Sequence, residues 1–303
     1  MVGVEMENRN HKEACGDIRY IRKEDREFPE KLLELSDCPN GIYVRGKLPD
    51  PNKKTVAIVG ARMCSPYGRA TASWFASVLA ANDVQVISGL ALGIDGAAHE
   101  GALMAGGDTF AVLACGCDRC YPRANIGIYE KIRHTGGIIS EEECGCPPLP
   151  RLFPKRNRII SVLSDLVLVI EARKKSGSLI TADFAAEQGR DIFAVPGRLE
   201  DELSQGCNEL IFQGSGIAIS PERVLESIGK YPKKSDNSKS IMQNALATEE
   251  NMVYSCLSLQ PQSLEQVCKK TKLSVPGAAE AMMLLQLKGL VKEIGRNRYI
   301  KTE

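Results

Sequence analysis

The chain has 303 residues, of which 43% are hydrophobic and 25% charged, a composition typical of a globular protein with about two domains. Disordered and collagen-like chains are thereby excluded. No run approaches the roughly 18–20 apolar residues that span a bilayer, and no apolar signal core begins the chain, so a cytoplasmic protein without a membrane partner is expected. The 39 basic and 38 acidic side chains leave a formal charge of +1, so a polyanionic partner would need a local basic patch.

Short apolar runs alternate with helical stretches from residue 55 to residue 219. The runs show no polar alternation, which is typical of parallel strands covered on both faces. This order predicts an α/β fold, an extended Rossmann-like, doubly wound and mostly parallel sheet that binds ligands at the carboxyl ends of its strands. The predicted strands are residues 55–59, 84–88, 109–114, 137–140, 165–170, 191–195 and 216–219.

Composition and hydrophobic periodicity divide the whole chain into four segments. Residues 1–15 are predicted to be a disordered N-terminus, residues 16–228 the Rossmann-like domain, and the Lys- and Ser-rich residues 229–240 a linker. Residues 241–303 are predicted to form a small C-terminal winged helix-turn-helix domain. Its helices are expected at 241–259, 263–270 and 275–288 and its strands at 290–294 and 298–301.

Glycine-rich turns follow three of the predicted strands. Glycine lets backbone N–H groups approach an anion, and a helix N-terminus adds partial positive charge, so these turns predict a phosphate-binding rim. The alternative is that the glycines only connect strands to helices. None of the turns matches GxGxxG or GxxxxGK[ST], so neither a dinucleotide nor a nucleoside triphosphate is indicated. The candidate phosphate or backbone contacts are Gly60, Ser65, Gly89, Gly93, Gly177, Ser178 and Thr181.

A basic segment, residues 151–158, lies inside the α/β domain and holds four cations. On a fixed element near the glycine turns, such cations suit phosphate. Phe153 and Tyr121 offer ring faces on which bases of a single strand can stack, with packing as the alternative role for both rings. The pattern predicts a nucleic-acid-binding protein. The candidate contacts are Arg62, Arg123, Asn125, Phe153, Lys155, Arg156, Asn157 and Arg158.

Evidence for catalysis or metal binding is weak in the sequence. Asp95 and His99 share a helix face, but no serine, cysteine or metal partner completes a site, so a structural hydrogen-bonded pair is favoured. Two cysteine clusters follow neighbouring strands, and a zinc or iron–sulfur site is the less favoured alternative to inert thiols in a reducing compartment. No cofactor or metal is therefore predicted. The clustered cysteines are Cys115, Cys117, Cys120, Cys144 and Cys146.

Eight motifs, in order, resemble the DprA/Smf family of DNA-processing proteins from about residue 17 to residue 303. The resemblance implies a dimeric single-stranded DNA-binding protein, without catalysis, that protects incoming single-stranded DNA and loads the RecA recombinase in natural transformation. It also implies that Arg62, Arg123 and residues 155–158 line the DNA pocket. The motifs are residues 60–65, 88–99, 118–125, 140–141, 153–160, 176–182, 194–197 and 204–211.

Two other classes of function stay open at this point. A nucleotide-phosphate-binding hydrolase of the lysine-decarboxylase-like Rossmann class would need a Gly-Gly-x-Gly-Thr turn and a glutamate, whereas residues 176–181 read Ser-Gly-Ser-Leu-Ile-Thr with only Asp183 nearby. A pure protein-interaction module would have no affinity for nucleic acid. In the C-terminal domain, the predicted recognition helix has no arginine, which disfavours base readout in a major groove.

Overall fold

The computed structural model describes residues 16–231, 248–258, 260–287, 290–295 and 297–301. The chain divides near residue 232 into two compact units. The predicted disordered N-terminus, most of the predicted linker, and the first part of the helix predicted from residue 241 lie outside the described residues and stay predictions. Among the described residues, no helix is both long and apolar enough to cross a membrane.

Nine strands within residues 16–231 form one sheet. They are β1 (Ile18–Arg22), β2 (Gly41–Gly46), β3 (Thr55–Val59), β4 (Gln85–Ser88), β5 (Thr109–Leu113), β6 (Gly137–Ser140), β7 (Leu166–Val169), β8 (Asp191–Ala194) and β9 (Gly216–Ile217). Their order across the sheet is β1-β2-β6-β5-β4-β3-β7-β8-β9. Every pairing from β6 through to β9 is parallel, which confirms the predicted Rossmann-like sheet.

Helices cover both faces of the sheet. They are α1 (Pro66–Ala81), α2 (Ile94–Met104), α3 (Ile126–Thr135), α4 (Leu152–Val162), α5 (Gly177–Glu187), α6 (Gln205–Phe212) and α7 (Pro221–Ser227). Along β3, Val56 and Ile58 belong to the core under α1, α2 and α7, while Ala57 and Val59 belong to the core under α4 and α5. Because both faces are buried, all five residues of β3 are apolar or small.

Two antiparallel strands extend one side of the sheet and were not predicted. β2 pairs with β6, and β1 pairs with β2 from Ile18 opposite Arg45 to Arg22 opposite Gly41. The apolar pattern of this region is too short and irregular to predict strands. The two strands form because β6 offers an edge with which β2 can pair. The apolar segment between them forms a 3-10 helix, Glu30–Glu34, whose Leu32 is fully buried.

The connection order creates a crevice. β3 lies between β4 and β7, so the chain leaves β3 toward one half of the sheet and later returns on the other side. At such a switch point the loops after the two adjacent strands diverge, which leaves space at the carboxyl edge. The turns after β3 and β7 therefore bound the place where a ligand is expected.

The C-terminal unit has the element order of a winged helix. Its elements are α8 (Thr248–Cys256), β10 (Gln262–Ser263), α9 (Leu264–Thr271), α10 (Val275–Leu287), β11 (Val291–Gly295) and β12 (Arg298–Lys301). The three strands pair antiparallel in the order β10-β12-β11. Ser263 and Gln266 form a reciprocal capping box that fixes the start of α9. Of these elements, the two-residue β10 is the one that the sequence pattern did not predict.

Candidate nucleic-acid-binding cleft

A cavity of about 610 Å³ opens at the carboxyl edge of the sheet, at the switch point. One wall is the turn after β3, residues 60–63, and the opposite wall is the segment from Arg173 to Thr181. The first turns of α4 and the proline-containing segment before it complete the cleft. Parallel strand ends and helix starts thus converge on one space, as the fold predicts.

Exposed cations stand on both walls. Arg62 lies on the first wall, and Arg173 and Lys175 lie on the second. Asp95 is the single acidic residue of the lining within the described residues, and its carboxylate accepts N–H groups of Gly89 at 3.1 Å and Ala91 at 3.4 Å. The accessible part of the cleft is therefore positively charged and suits a polyanion.

An aromatic pair stands beside Arg62. The Arg62 guanidinium lies 4.9 Å from the centroid of the Phe153 ring, within the range of a cation–π contact. The Tyr121 ring is 5.8 Å from that of Phe153, centroid to centroid, and Tyr121 is 44% exposed. Because Tyr121 is accessible and Phe153 only half-buried, neither ring is simply a core residue.

The N-terminus of α5 contributes polar groups to the second wall. Ser176 caps the helix by accepting the N–H of Ser178, and the two hydroxyl oxygens are 2.8 Å apart. The Asn157 side-chain amide donates to the Gly177 carbonyl at 3.2 Å, which ties α4 to this wall. Free N–H groups and the helix dipole at such a terminus favour an anion.

The structure brings eight of the predicted residues into the lining and leaves seven out. Those in the lining are Gly60, Arg62, Phe153, Arg156, Asn157, Gly177, Ser178 and Thr181. Those outside it are Ser65, Gly89, Gly93, Arg123, Asn125, Lys155 and Arg158.

Two cations of the basic segment lie outside the cleft lining and are paired with carboxylates. Lys155 pairs with Glu141 at 3.1 Å and Glu142 at 3.4 Å. Arg158 is 3% exposed and pairs with Asp37 at 2.8 Å and Glu141 at 2.7 Å. Because residues 151–158 continue into a helix, successive side chains rotate by about 100° and reach different surroundings. We leave both cations out of the proposed contact set.

Arg156 lines the cleft floor but is buried, with 7% of the residue exposed. Its Nη1 donates to the carbonyl oxygens of Gly89, at 2.8 Å, and Val112. Burial lowers the pKa of Arg156 to about 10, against the attraction of Asp95, so the guanidinium stays charged at neutral pH. Arg156 was predicted as a DNA contact, and the structure places it in the cleft lining with most of its surface buried.

Two of the predicted anion-binding glycines are explained by packing instead. A Cβ on Gly89 would lie 2.3 Å from Nη1 of Arg156, and one on Gly93 would lie 2.3 Å from the Ala61 carbonyl oxygen. Gly93 also has a φ of +78°, which disfavours other residues. The Ser65 hydroxyl is likewise occupied, since it caps α1 by accepting the N–H of Gly68 and donates to Glu171.

The remaining two predicted residues lie in the 3-10 helix Arg123–Asn125. Arg123 is exposed. Asn125 is buried, and its side-chain amide donates to the carbonyl oxygens of Leu90 at 2.9 Å and Ala91 at 3.0 Å. Leu90 has the rare positive φ of +55°, so Asn125 holds the second glycine turn in a strained conformation rather than offering its amide to a ligand.

The cleft also contains residues that were not predicted. Arg173 and Lys175 lie between β7 and the glycine turn that begins α5. A run of cations next to a glycine-rich helix start is the sequence signal that could have identified them. Met63, 79% exposed, and the prolines 148 and 150 had no such signal.

Residues 19–229 match the family model described as DNA recombination-mediator protein A. The chain belongs to this family. It is 43% identical over 206 residues to Protein Smf of Escherichia coli, covering 67% of the chain and 55% of Smf. It is 42% identical over 198 residues to DNA processing protein DprA of Streptococcus pneumoniae, covering 65% of the chain and 70% of that protein. The match thus spans about half the length of Smf, and the predicted DprA/Smf membership is confirmed.

Two solved structures of DNA processing protein A share the fold. The Streptococcus pneumoniae protein superposes with a TM-score of 0.68 at 38% identity, covering 74% of this chain and 78% of that one. The Helicobacter pylori protein gives a TM-score of 0.62 at 32% identity, covering 69% and 95%, and its structure concerns a single-stranded DNA binding mode.

In this member of the DNA recombination-mediator protein A family, Asp95 and His99 have separate partners. Asp95 holds the glycine turn, while Nδ1 of His99 lies 2.7 Å from the Thr109 hydroxyl oxygen. Each residue therefore ties α2 to a neighbouring segment, which agrees with a structural role although the two side chains do not form the expected mutual pair. Burial, and then the nearby Arg156, lower the pKa of His99 to about 3.

This burial predicts acid sensitivity. His99 stays neutral in the folded chain but binds a proton near its usual pKa of 6.5 when unfolded, so stability falls as the pH drops below about 6.5. Between pH 7 and pH 5 we expect a loss of about 2 kcal/mol from this residue alone. Urea unfolding of the unsubstituted chain and of His99→Gln at both pH values measures this loss of unfolding free energy. The same pH dependence in both proteins would contradict the assignment.

The free cysteines of the two cysteine clusters have protonated thiols. Cys115, Cys117, Cys120 and Cys146 are free, whereas Cys144 is disulfide-bonded. Burial raises the pKa of Cys115 and that of Cys120 to about 11, which disfavours the thiolates that metals bind. Across the described residues, no three Cys, His, Asp or Glu side chains are grouped to hold a metal ion.

Proposed function

We propose that the chain binds single-stranded DNA in this cleft. Phosphates would contact Arg62, Arg173, Lys175 and the N-terminus of α5, while bases stack on Phe153 and Tyr121. The observation that carries the proposal is the Arg62 guanidinium over the Phe153 ring, 4.9 Å from its centroid, with the exposed Tyr121 ring next to it, because a cation beside accessible aromatic surface can engage the phosphate and the base of one nucleotide.

The cleft chemistry favours a single strand over a duplex. Ring faces bind unstacked bases, which a duplex keeps inside its helix, and stacking discriminates little among the four bases. Family membership and the single-stranded DNA binding mode of the Helicobacter pylori relative support the same conclusion.

We further propose that the protein acts in the cytoplasm as a homodimer that protects incoming single strands and loads the RecA recombinase, without catalysis of its own. The family match supports this role. Against a hydrolase, the carboxylates near the cleft are engaged: Asp95 holds two backbone N–H groups, and Glu171 accepts from the Ser65 backbone and hydroxyl. The C-terminal unit has no assigned part in this proposal.

Fluorescence anisotropy tests the binding proposal. The purified chain is titrated with labelled oligo-dT and with a duplex of equal length at several salt concentrations. We expect tighter, salt-dependent binding to the single strand. Equal affinities for both, or no binding at low salt, would contradict the proposal.

Phe153→Leu separates stacking from charge. Because base–aromatic stacking contributes roughly 1–3 kcal/mol per base, the affinity for oligo-dT should fall by about tenfold with an unchanged salt slope. An abasic oligonucleotide of the same length is the matched control, and both proteins should bind it equally. A loss of the same size on the abasic strand would show that Phe153 acts through packing.

A further inference from the structure

We propose that Arg156 is a positioning residue for single-stranded DNA binding: its buried guanidinium holds the turn after β4, against which the turn that carries Arg62 packs, and it does not itself bind a phosphate. The inference rests on the proposed function. It gives Arg156 a positioning role, whereas the nearby Lys155 and Arg158 of the same basic segment pair with carboxylates.

The guanidinium connects the carboxyl ends of two neighbouring strands. Arg156 projects from α4, and its Nη1 donates both to the carbonyl of Gly89, immediately after β4, and to the carbonyl of Val112 in β5. Gly89 packs directly against the Arg156 guanidinium. A Cβ added to Gly89 would lie 2.3 Å from Nη1, 2.5 Å from Nη2 and 2.6 Å from Cζ of Arg156. The turn after β4 is therefore seated directly on Arg156.

The same turn is fixed from its other side by the first turn of α2. The Asp95 carboxylate accepts the N–H groups of Gly89 and Ala91, and it is 6% exposed. Arg156 and Asp95 thus hold the carbonyl and the N–H of Gly89, respectively. Removal of the guanidinium would take a nearby positive charge away from the buried Asp95 carboxylate and one donor away from each of the two carbonyls.

Displacement of this turn reaches Arg62 through backbone contacts. The N–H of Ile94 donates to the Ala61 carbonyl at 3.2 Å. A Cβ on Gly93 would lie 2.3 Å from the Ala61 carbonyl oxygen and 2.5 Å from that of Arg62, so the two turns pack without a gap. Because close-packed segments transmit small shifts, the position of Arg62 over Phe153 depends on Arg156.

Arg156 is poorly suited to bind phosphate directly. The residue is 7% exposed, and its Nη1 already serves two carbonyls. A buried cation releases few counterions when DNA binds, whereas the exposed Arg62 releases them in full. The salt dependence of the Arg62/Arg156 double variant therefore distinguishes the two roles.

A double-mutant cycle tests the coupling. Affinity for labelled oligo-dT is measured across salt concentrations for the full chain, Arg62→Ala, Arg156→Met and the double variant. We expect Arg156→Met to weaken binding by about tenfold and to lower the salt slope by about 0.7, as Arg62→Ala does, because the displaced Arg62 loses its phosphate contact. In the Arg156→Met background, Arg62→Ala should then change neither the affinity nor the slope much further. Lys175→Ala, on the opposite wall, should combine additively with Arg156→Met.

Arg190→Met is the matched control. Arg190 is also a largely buried guanidinium that donates to a backbone carbonyl, that of Val162 at 3.2 Å, and pairs with Glu34, but it lies outside the cleft lining. We expect this variant to keep the affinity within about twofold even if it unfolds at lower urea concentration. Where Arg156→Met fails to fold, Arg156→Lys replaces it, since lysine keeps the charge but lacks the planar fork.

The outcomes are separable. A salt slope lowered by about 1.4 in the double variant, twice the change in either single variant, would show that Arg156 makes a phosphate contact of its own and would overturn the inference. Additivity of Arg62→Ala and Arg156→Met, or an equal loss in Arg190→Met, would overturn it too. In each of these cases the full chain still binds oligo-dT and the proposed function stands. Absence of binding by the full chain would instead remove the proposed function and this inference with it.

Discussion

Arg62→Ala is expected to raise the Kd for oligo-dT by at least about tenfold, because a charge-assisted hydrogen bond contributes roughly 1.5–3 kcal/mol. Loss of one phosphate contact should also lower the slope of log K against log salt by about 0.7, the value for a single strand. Anisotropy titrations with oligo-dT at four or more salt concentrations measure both quantities. The loss should be similar for other base compositions, since a phosphate contact carries no sequence information.

Arg69→Ala is the control for that experiment. Arg69 is an exposed arginine in the first turn of α1, seven residues after Arg62, and it does not line the cleft. Its removal changes the net charge equally but should leave the affinity within about twofold. If the two variants behaved alike, general attraction to the chain rather than a located contact would explain the binding.

Gly101→Ala is expected to destabilise the Rossmann-like unit by about 3 kcal/mol, at the upper end of the cost of overpacking. Gly101 lies in α2 where α1 crosses it, and a Cβ would stand 2.2 Å from the Ser73 carbonyl oxygen. The obstructing atom belongs to the backbone of α1, so no side-chain rotation relieves the clash and the two helices must separate. Urea unfolding gives the free energy.

Gly127→Ala supplies the comparison in a neighbouring helix. Gly127 is an exposed residue of α3, and a Cβ there meets no atom within 4 Å. The change should stabilise the protein by about 0.5–1 kcal/mol, the usual gain when alanine replaces glycine in a helix. Destabilisation by Gly127→Ala would mean that the loss in Gly101→Ala cannot be assigned to the helix crossing.

The parallel strands were predictable because burial on both faces leaves a continuous apolar run. TVAIV at residues 55–59 and DLVLVI at 165–170 have few other interpretations, and both correspond to central strands. β1 and β2 were not predictable, since IRYIR and GIYVRG contain arginines and pair only because β6 offers an edge. Local patterns report burial, but strand pairing is decided between segments distant in the chain.

The candidate site was half predictable for a similar reason. The glycine turns and Phe153 were identified from their positions after strands and beside cations, and Arg62 from its place in the first turn. Which of Lys155, Arg156 and Arg158 would be accessible could not be known, because that depends on where Glu141, Asp37 and Asp95 lie after folding.

The amino-acid sequence by itself determined the doubly wound sheet, the carboxyl edge as the place of the cleft, and the family. Hydrophobic periodicity and glycine positions are local properties, so they are written in consecutive residues. The tertiary structure alone decided how each cation is used. Arg62 stands exposed beside a ring, Arg158 is paired with two carboxylates, and Arg156 is buried between strand ends, because the partners that neutralise or free a charge come from remote parts of the chain.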